Sequence, residues 1–168
     1  MPIVVLVGFM GSGKSSVGRK LARSLGVTFI DSDNKIEERL GMTISSAFRI
    51  HGEKFFRRVE AETIHSLLTV EDAVVALGGG SLEDESTLEL LQGQFVAFLD
   101  VSFKTSMERI KGDVNRPLVQ SEEIEARYLR RLNAYKKWAS ITFDADNWTT
   151  DKIARALLEE LRGDSVRG

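Results

Sequence analysis

A glycine-rich segment near the start of the chain has the residue types of a phosphate-binding loop. Residues 8–15 read Gly-Phe-Met-Gly-Ser-Gly-Lys-Ser and fit the pattern G-x-x-x-x-G-K-[ST] at every fixed position. An apolar run over 3–7 precedes the loop as a buried strand would, and an amphipathic helical pattern follows it. The backbone N–H groups of such a loop and the positive end of the helix dipole converge on phosphate oxygens. The segment therefore predicts binding of a nucleoside triphosphate.

Two side chains at the end of this loop complete the predicted chemistry. Lys14 can reach the β- and γ-phosphates, and the Ser15 hydroxyl can ligate Mg²⁺. The alternative is a glycine-rich turn that matches the pattern by chance, and the flanking strand and helix argue against it. The predicted nucleotide-binding residues of the loop are Gly11, Ser12, Gly13, Lys14, Ser15 and Ser16.

A pair of acids, Asp31 and Asp33, follows the second strand-like run. In an extended segment, residues two apart point the same way, so both carboxylates could face one site. One acid can hold Mg²⁺, which takes oxygen ligands, and the other could accept a proton from an attacking hydroxyl. The alternative is an Asx turn that caps a helix starting near Asn34. The pair follows the next strand along the chain after the phosphate loop, at the edge where such sheets bind ligands. This position favours the functional interpretation.

Three consecutive glycines, Gly78, Gly79 and Gly80, follow the third strand-like run. They permit a sharp backbone bend and allow a ligand to approach main-chain N–H groups closely. A plain tight turn is the alternative, but two glycines would satisfy most turns. The run therefore favours contact with a ligand.

Several arginines could bind an anionic substrate. Arg57 and Glu60 share a helical face, and an acid can orient a guanidinium toward a carboxylate. From spacing alone, however, an ordinary surface ion pair is the commoner outcome. Arg116 precedes a proline in a segment that reads either as a mobile loop bringing a cation onto the phosphates or as a solvated connector. Arg131 shares a helical face with Tyr135, although basic runs on helices usually face solvent.

The elements that must position these residues alternate along the chain. Alternating strands and helices predict an α/β layered fold with a parallel sheet. Ligands of such sheets bind beyond the carboxyl ends of the strands, which is where the candidate residues fall. The predicted strands are 3–7, 27–30, 74–77, 95–99 and 141–143, and the predicted helices lie near 14–25, 34–40, 43–70, 84–92, 102–111, 121–138 and 150–162.

Composition excludes several classes of protein. A length of 168 residues suits a single domain over 1–168, and the net charge of −2 suggests neither nucleic acid nor a membrane surface as a partner. The chain has no cysteine, which excludes disulfides and thiolate metal sites. No apolar run approaches the ~20 residues that span a bilayer, and residues 1–10 do not read as a signal peptide. We therefore expect a soluble, cytoplasmic protein.

Taken together, these segments resemble the shikimate kinases, of the nucleoside-monophosphate-kinase branch of phosphate-loop enzymes. The resemblance runs from residue 3 to about residue 140 and rests on the ordered set of motifs, including Arg116-Pro117-Leu118 and Arg131 four residues before Tyr135. It implies a three-layer P-loop kinase fold, with a five-stranded parallel sheet in the order 2-3-1-4-5 flanked by helices. It also implies a substrate-binding segment at about 32–60 and a mobile lid at about 111–122.

The resemblance further implies ATP-dependent phosphorylation of the shikimate 3-hydroxyl, with Mg²⁺ as cofactor, by a monomer. Arg57 and Arg131 would take the shikimate carboxylate, Glu60 would orient Arg57, and Asp33 would take the ring hydroxyls. Ser15 and Asp31 would serve Mg²⁺, Arg116 would reach the ATP phosphates from the lid, and Arg109 matches a position that stacks on adenine. The implied catalytic residues are Asp33, Lys14 and Arg116, and the implied substrate-binding residues are Asp33, Arg57, Glu60, Gly78, Gly79, Gly80 and Arg131.

Three other functions remain as alternatives at this point. A regulatory GTPase would need a D-x-x-G tetrad after a strand, and the chain contains none. A catalytically inactive binding homologue would be expected to have lost Lys14, Asp33 or an anion-binding arginine, and all are present. A kinase of the same branch with another small acceptor, such as gluconate, is the nearest alternative. The arginines and the glycine run favour a cyclic carboxylate.

Overall fold

In a computed structural model that describes residues 1–111 and 121–167, a sheet of five parallel strands forms the centre of the fold. Numbered in chain order, the strands are β1 (Val4–Val7), β2 (Thr28–Asp31), β3 (Ala73–Ala76), β4 (Val96–Asp100) and β5 (Ile141–Asp144). They lie in the order β2-β3-β1-β4-β5, as the resemblance implies. The three central strands are apolar and almost fully buried, because helices cover both faces of the sheet.

Helices connect the strands, and a short 3₁₀ turn, Ser81–Glu83, follows the three glycines. The first helix, α1 (Lys14–Leu25), starts directly after the glycines of the phosphate loop, so its N-terminal N–H groups complete that loop. The helices are α1 (Lys14–Leu25), α2 (Ser32–Leu40), α3 (Ile44–His51), α4 (Glu53–Leu67), α5 (Glu85–Leu90), α6 (Phe103–Ile110), α7 (Ser121–Trp138) and α8 (Thr150–Arg167).

The prediction of one helical stretch over 43–70 is wrong, because two helices occupy it. Gly52 separates α3 from α4 with φ 84° and ψ 171°, a backbone conformation that ends a helix and that side chains disfavour. The N–H of Gly52 still donates to the carbonyl of Phe48 and closes α3. Apolar spacing continues across the break, which is why periodicity alone did not reveal it.

The buried apolar residues form two separate hydrophobic clusters. The larger surrounds the sheet, and the smaller consists of Ile36, Phe56 and Val59 with partly buried neighbours. The smaller cluster joins α2, α3 and α4, which include the segment predicted to bind substrate. These three helices therefore form a separate wall beside the sheet.

Three further predictions can be compared with the structure. Helix α8 continues to Arg167, whereas the sequence pattern predicted an end near 162. Within the described part of the chain, no helix has both the length and the apolar content that crossing a bilayer requires. Most of the predicted lid, including Arg116, lies outside the described residues.

The packing of α1 on β2 predicts an effect on stability. A Cβ atom on Gly18 would lie 2.3 Å from Cε2 of Phe29 and 3.2 Å from Cδ1 of Leu6. We expect Gly18→Ala to lower the free energy of unfolding by about 1–3 kcal/mol, the usual cost of overpacking. Urea titration followed by circular dichroism measures this difference.

The matched control is Gly163→Ala on α8, where an added Cβ would meet no atom within 4 Å. There alanine should leave stability unchanged or raise it by up to about 1 kcal/mol, because it is the better helix former. A Gly18→Ala variant as stable as the control would contradict the packing argument.

Candidate active site

A cavity of about 850 Å³ lies at the carboxyl edge of the sheet. The phosphate loop, the starts of α2 and α4, the glycine run after β3, and α7 all contribute to its walls. This is the edge at which parallel α/β sheets bind ligands. The predicted site residues that line it are Gly11, Ser12, Gly13, Lys14, Ser15, Ser16, Asp31, Asp33, Arg57, Glu60, Gly78, Gly79, Gly80 and Arg131.

The phosphate loop is held in place by its own lysine and by α8. Lys14 Nζ donates to the carbonyl oxygen of Gly8 at 2.6 Å, so its side chain folds back along the loop. The Ser16 hydroxyl donates to Thr150 Oγ1 at 3.3 Å, and Lys20 Nζ donates to the same oxygen at 2.8 Å. These bonds fix the start of α1 to the loop and to the start of α8.

The acid pair adopts a different geometry from the predicted one. Asp31 caps α2, and its Oδ1 accepts hydrogen bonds from the N–H groups of Asp33 at 2.9 Å and Asn34 at 3.3 Å. Capping starts the helix at Ser32, so Asp33 lies in the first turn and strand alternation does not align the two carboxylates. The prediction of an extended pair is therefore wrong in geometry. The structure nevertheless brings both acids to the cavity.

Asp31 has a second contact that the capping interpretation does not include. Its Oδ2 accepts a hydrogen bond from the Ser15 hydroxyl at 3.2 Å. A hydroxyl and a carboxylate oxygen thus lie together beside the phosphate loop. This donor set suits a hard divalent cation that keeps several other ligands.

Two arginines meet over the main chain of Gly80. A Cβ atom on Gly80 would lie 2.9 Å from Arg57 Nη1 and 3.1 Å from Arg131 Nη2, so any side chain there would displace them. Arg57 Nη1 also donates to Glu60 Oε1 at 2.9 Å, and the Glu60 side chain is only 4% exposed. The pair is therefore not a solvated surface pair, and spacing alone favoured the wrong alternative.

Burial sets the electrostatics of this clamp of two arginines. It raises the pKa of Glu60, although the hydrogen bond and charge of Arg57 act in the opposite direction. Burial likewise lowers the pKa of Arg131, whose side chain is 10% exposed. The Tyr135 hydroxyl donates to the Gly79 carbonyl at 2.8 Å, and burial raises its pKa as well. The clamp therefore holds charges out of water, where a ligand carboxylate would offset the positive ones.

Arg109 does not line the cavity. Its Nη1 donates to the Gly11 carbonyl at 2.8 Å and its Nη2 to the Ala145 carbonyl at 2.6 Å. The guanidinium thus joins the phosphate loop to the segment after β5. Stacking of Arg109 on adenine stays a prediction.

Sequence reasoning missed an apolar wall and an acidic side chain. Phe48 and Phe56 line the cavity with ring centroids 4.6 Å apart, and Ile44 lies beside them. Their helical spacing looks the same as that of core residues, so the sequence carries no separate signal for them. Glu83 also lines the cavity. Its arginine partners lie on α7, far along the chain.

The arrangement suits a phosphate donor and a small anionic acceptor bound side by side. A family model described as shikimate kinase matches residues 10–162. The chain belongs to the shikimate kinase family. A shikimate kinase of Moorella thermoacetica is 42% identical over 162 residues, which cover 95% of this chain and 94% of that protein.

Solved structures of the family have the same architecture. The shikimate kinase from Acinetobacter baumannii in complex with shikimate has a TM-score of 0.89 and 31% identity, covering 98% of this chain and 94% of that chain. The enzyme from Aquifex aeolicus has a TM-score of 0.85 and 33% identity, covering 98% and 99%. A gluconokinase from Sinorhizobium meliloti is 21% identical with a TM-score of 0.62, which shows a shared fold alone.

The raised pKa of Glu60 predicts a pH-dependent contribution to stability. The folded chain holds the Glu60 proton to higher pH than the unfolded chain, whose ordinary value is 4.5. The stability of wild type relative to Glu60→Gln should therefore fall as pH rises from below 4.5 toward neutrality. Urea titrations of both proteins across this range measure the difference.

Glu159→Gln, at an exposed position on α8, controls for the loss of one carboxylate. If the free energy of unfolding of wild type relative to Glu60→Gln rose with pH instead, Arg57 would outweigh burial and the assigned direction of the pKa shift would be wrong.

Proposed function

We propose that this cavity transfers the γ-phosphoryl group of ATP to the 3-hydroxyl of shikimate, giving shikimate 3-phosphate and ADP. The observation that carries the proposal is the meeting of Arg57 and Arg131 over Gly80, in the same cavity as the phosphate loop. Membership in the shikimate kinase family supports the same reaction.

The acceptor would lie between the arginine clamp and the acid pair. Arg57 and Arg131 present planar guanidinium groups, which suit bidentate binding of a carboxylate. Phe48 and Phe56 offer an apolar wall against which a carbon ring can pack. Asp33 is the acid that we assign to the ring hydroxyls, because it lies close to the glycine run that also borders the clamp.

The donor would lie on the phosphate loop, with Mg²⁺ at Ser15 and Asp31. One hydroxyl and one carboxylate suit Mg²⁺, which is usually held by one or two carboxylates together with substrate phosphates and several waters. When bound, Mg²⁺ would neutralise charge on the β- and γ-phosphates. The hydrogen bond between Ser15 and Asp31 keeps both oxygens at this place.

Transfer then depends on position and charge. The acceptor hydroxyl would form the new O–P bond as the bond from the γ-phosphorus to the bridging oxygen breaks, and ADP leaves. Asp33 would orient the hydroxyl and take its proton, while Lys14 would turn from the loop carbonyls to the phosphates. For Arg116, the role predicted from the resemblance is that of a second side-chain cation, beside Lys14, on the phosphates. Action as a monomer in the cytoplasm stays a prediction from the sequence.

The direct test is turnover of the purified chain with ATP, Mg²⁺ and different acceptors. We expect ADP release with shikimate and none above background with gluconate. Lys14→Met should lower kcat at least about a hundredfold, because it removes a cation from the transferring group.

Lys104→Met, at an exposed position on α6, provides the matched control and should retain wild-type turnover. Circular dichroism checks that both variants are folded. Turnover with gluconate but not shikimate would refute the proposed acceptor, and an active Lys14→Met variant would refute the assigned role of the loop.

A further inference from the structure

Glu83 contacts two arginines from the turn that directly follows the glycine run. Its Oε1 lies 3.5 Å from Arg130 Nε and its Oε2 lies 3.5 Å from Arg131 Nε. The Glu83 side chain is 28% exposed, and its backbone N–H donates to the Gly80 carbonyl at 3.2 Å. The carboxylate is therefore attached to the same short piece of backbone over which the arginine clamp meets.

The Nε side of the Arg131 guanidinium, away from the two glycines, needs a carboxylate partner. Its two Nη atoms lie beside Gly79 and Gly80, at 2.7 Å and 3.1 Å from the positions that Cβ atoms would take there. Its buried Nε–H makes no hydrogen bond within the described residues, and the Glu83 carboxylate is the ion-pair partner that faces it. A buried guanidinium is costly unless an opposite charge compensates it.

We propose that Glu83 is a positioning residue that holds Arg131 with its Nη groups toward the acceptor. This inference rests on the proposed function, because it assigns Arg131 to the shikimate carboxylate. Each arginine of the clamp then has its own carboxylate. Glu60 orients Arg57 from one turn farther along the same helix, whereas Glu83 reaches Arg131 from another element and fixes the guanidinium relative to the glycine run.

The contact to Arg130 gives the competing explanation. The Arg130 side chain is 64% exposed, and such pairs contribute little to stability. Arg130 also lines the cavity, so if Glu83 served only this pair, any effect of its loss on shikimate would not depend on Arg131. The two roles therefore differ in kinetics rather than in folding.

The experiment compares Glu83→Gln with wild type in steady-state kinetics at saturating ATP. Glutamine keeps the size of the side chain but removes its charge. We expect the KM for shikimate to rise about five- to thirtyfold, because a misoriented Arg131 would lose part of its charge-assisted hydrogen bonding to the shikimate carboxylate. The kcat should change much less, because phosphate contacts are retained.

A second background shows whether the effect passes through Arg131. Lysine at position 131 lacks the guanidinium group, including the Nε–H that faces Glu83. In the Arg131→Lys background, adding Glu83→Gln should therefore change the KM for shikimate by less than about twofold. An equal rise in both backgrounds would contradict the positioning role. Urea titration checks that each variant is folded.

Glu85→Gln is the matched control, since Glu85 is exposed and makes no side-chain hydrogen bond or ion pair within the described ranges. It should retain the wild-type KM. If wild type phosphorylates shikimate and Glu83→Gln has the same KM as Glu85→Gln, the inference about Glu83 fails while the proposed function stands. If wild type does not use shikimate, the proposed function itself fails.

Discussion

The guanidinium groups of Arg57 and Arg131 share the space above Gly80, where they are partly shielded from water and repel each other. Keeping like charges together in such a place requires compensating carboxylates, which Glu60 and Glu83 supply. The remaining compensation would come from a ligand carboxylate. The proposed clamp would therefore bind an anion by relieving an electrostatic cost that the folded chain already carries.

The strand order explains why this clamp lies beside a phosphate loop. Because β3 lies between β2 and β1, the acid pair after β2, the glycines after β3 and the loop after β1 meet at one edge. The Ser32 hydroxyl accepts a hydrogen bond from the Gly78 N–H at 2.8 Å and ties two of these ends together. The smaller cluster then sets α4, with its arginine, beside that edge. The strand order thus brings these segments close together, and hydrogen bonds such as that between Gly78 and Ser32 fix their relative positions.

How far the sequence predicts the site depends on the range of each interaction. The phosphate loop was predictable from the residues alone, because its motif and flanking elements are local. Arg57 and Arg131 were assigned only through the resemblance to a family, since spacing cannot show that Glu60 is buried. Residues such as Glu83 escape sequence reasoning because their partners come from distant elements. The break at Gly52 was missed for another reason, since apolar periodicity runs across it.

The most direct measurement is a crystal structure of this chain with shikimate, Mg²⁺ and a non-hydrolysable ATP analogue. The account predicts that the shikimate carboxylate contacts the guanidinium groups of both Arg57 and Arg131. It also predicts that the 3-hydroxyl lies within hydrogen-bond distance of the Asp33 carboxylate and faces the γ-phosphate. A carboxylate bound away from both arginines, or a 3-hydroxyl turned away from Asp33, would contradict it.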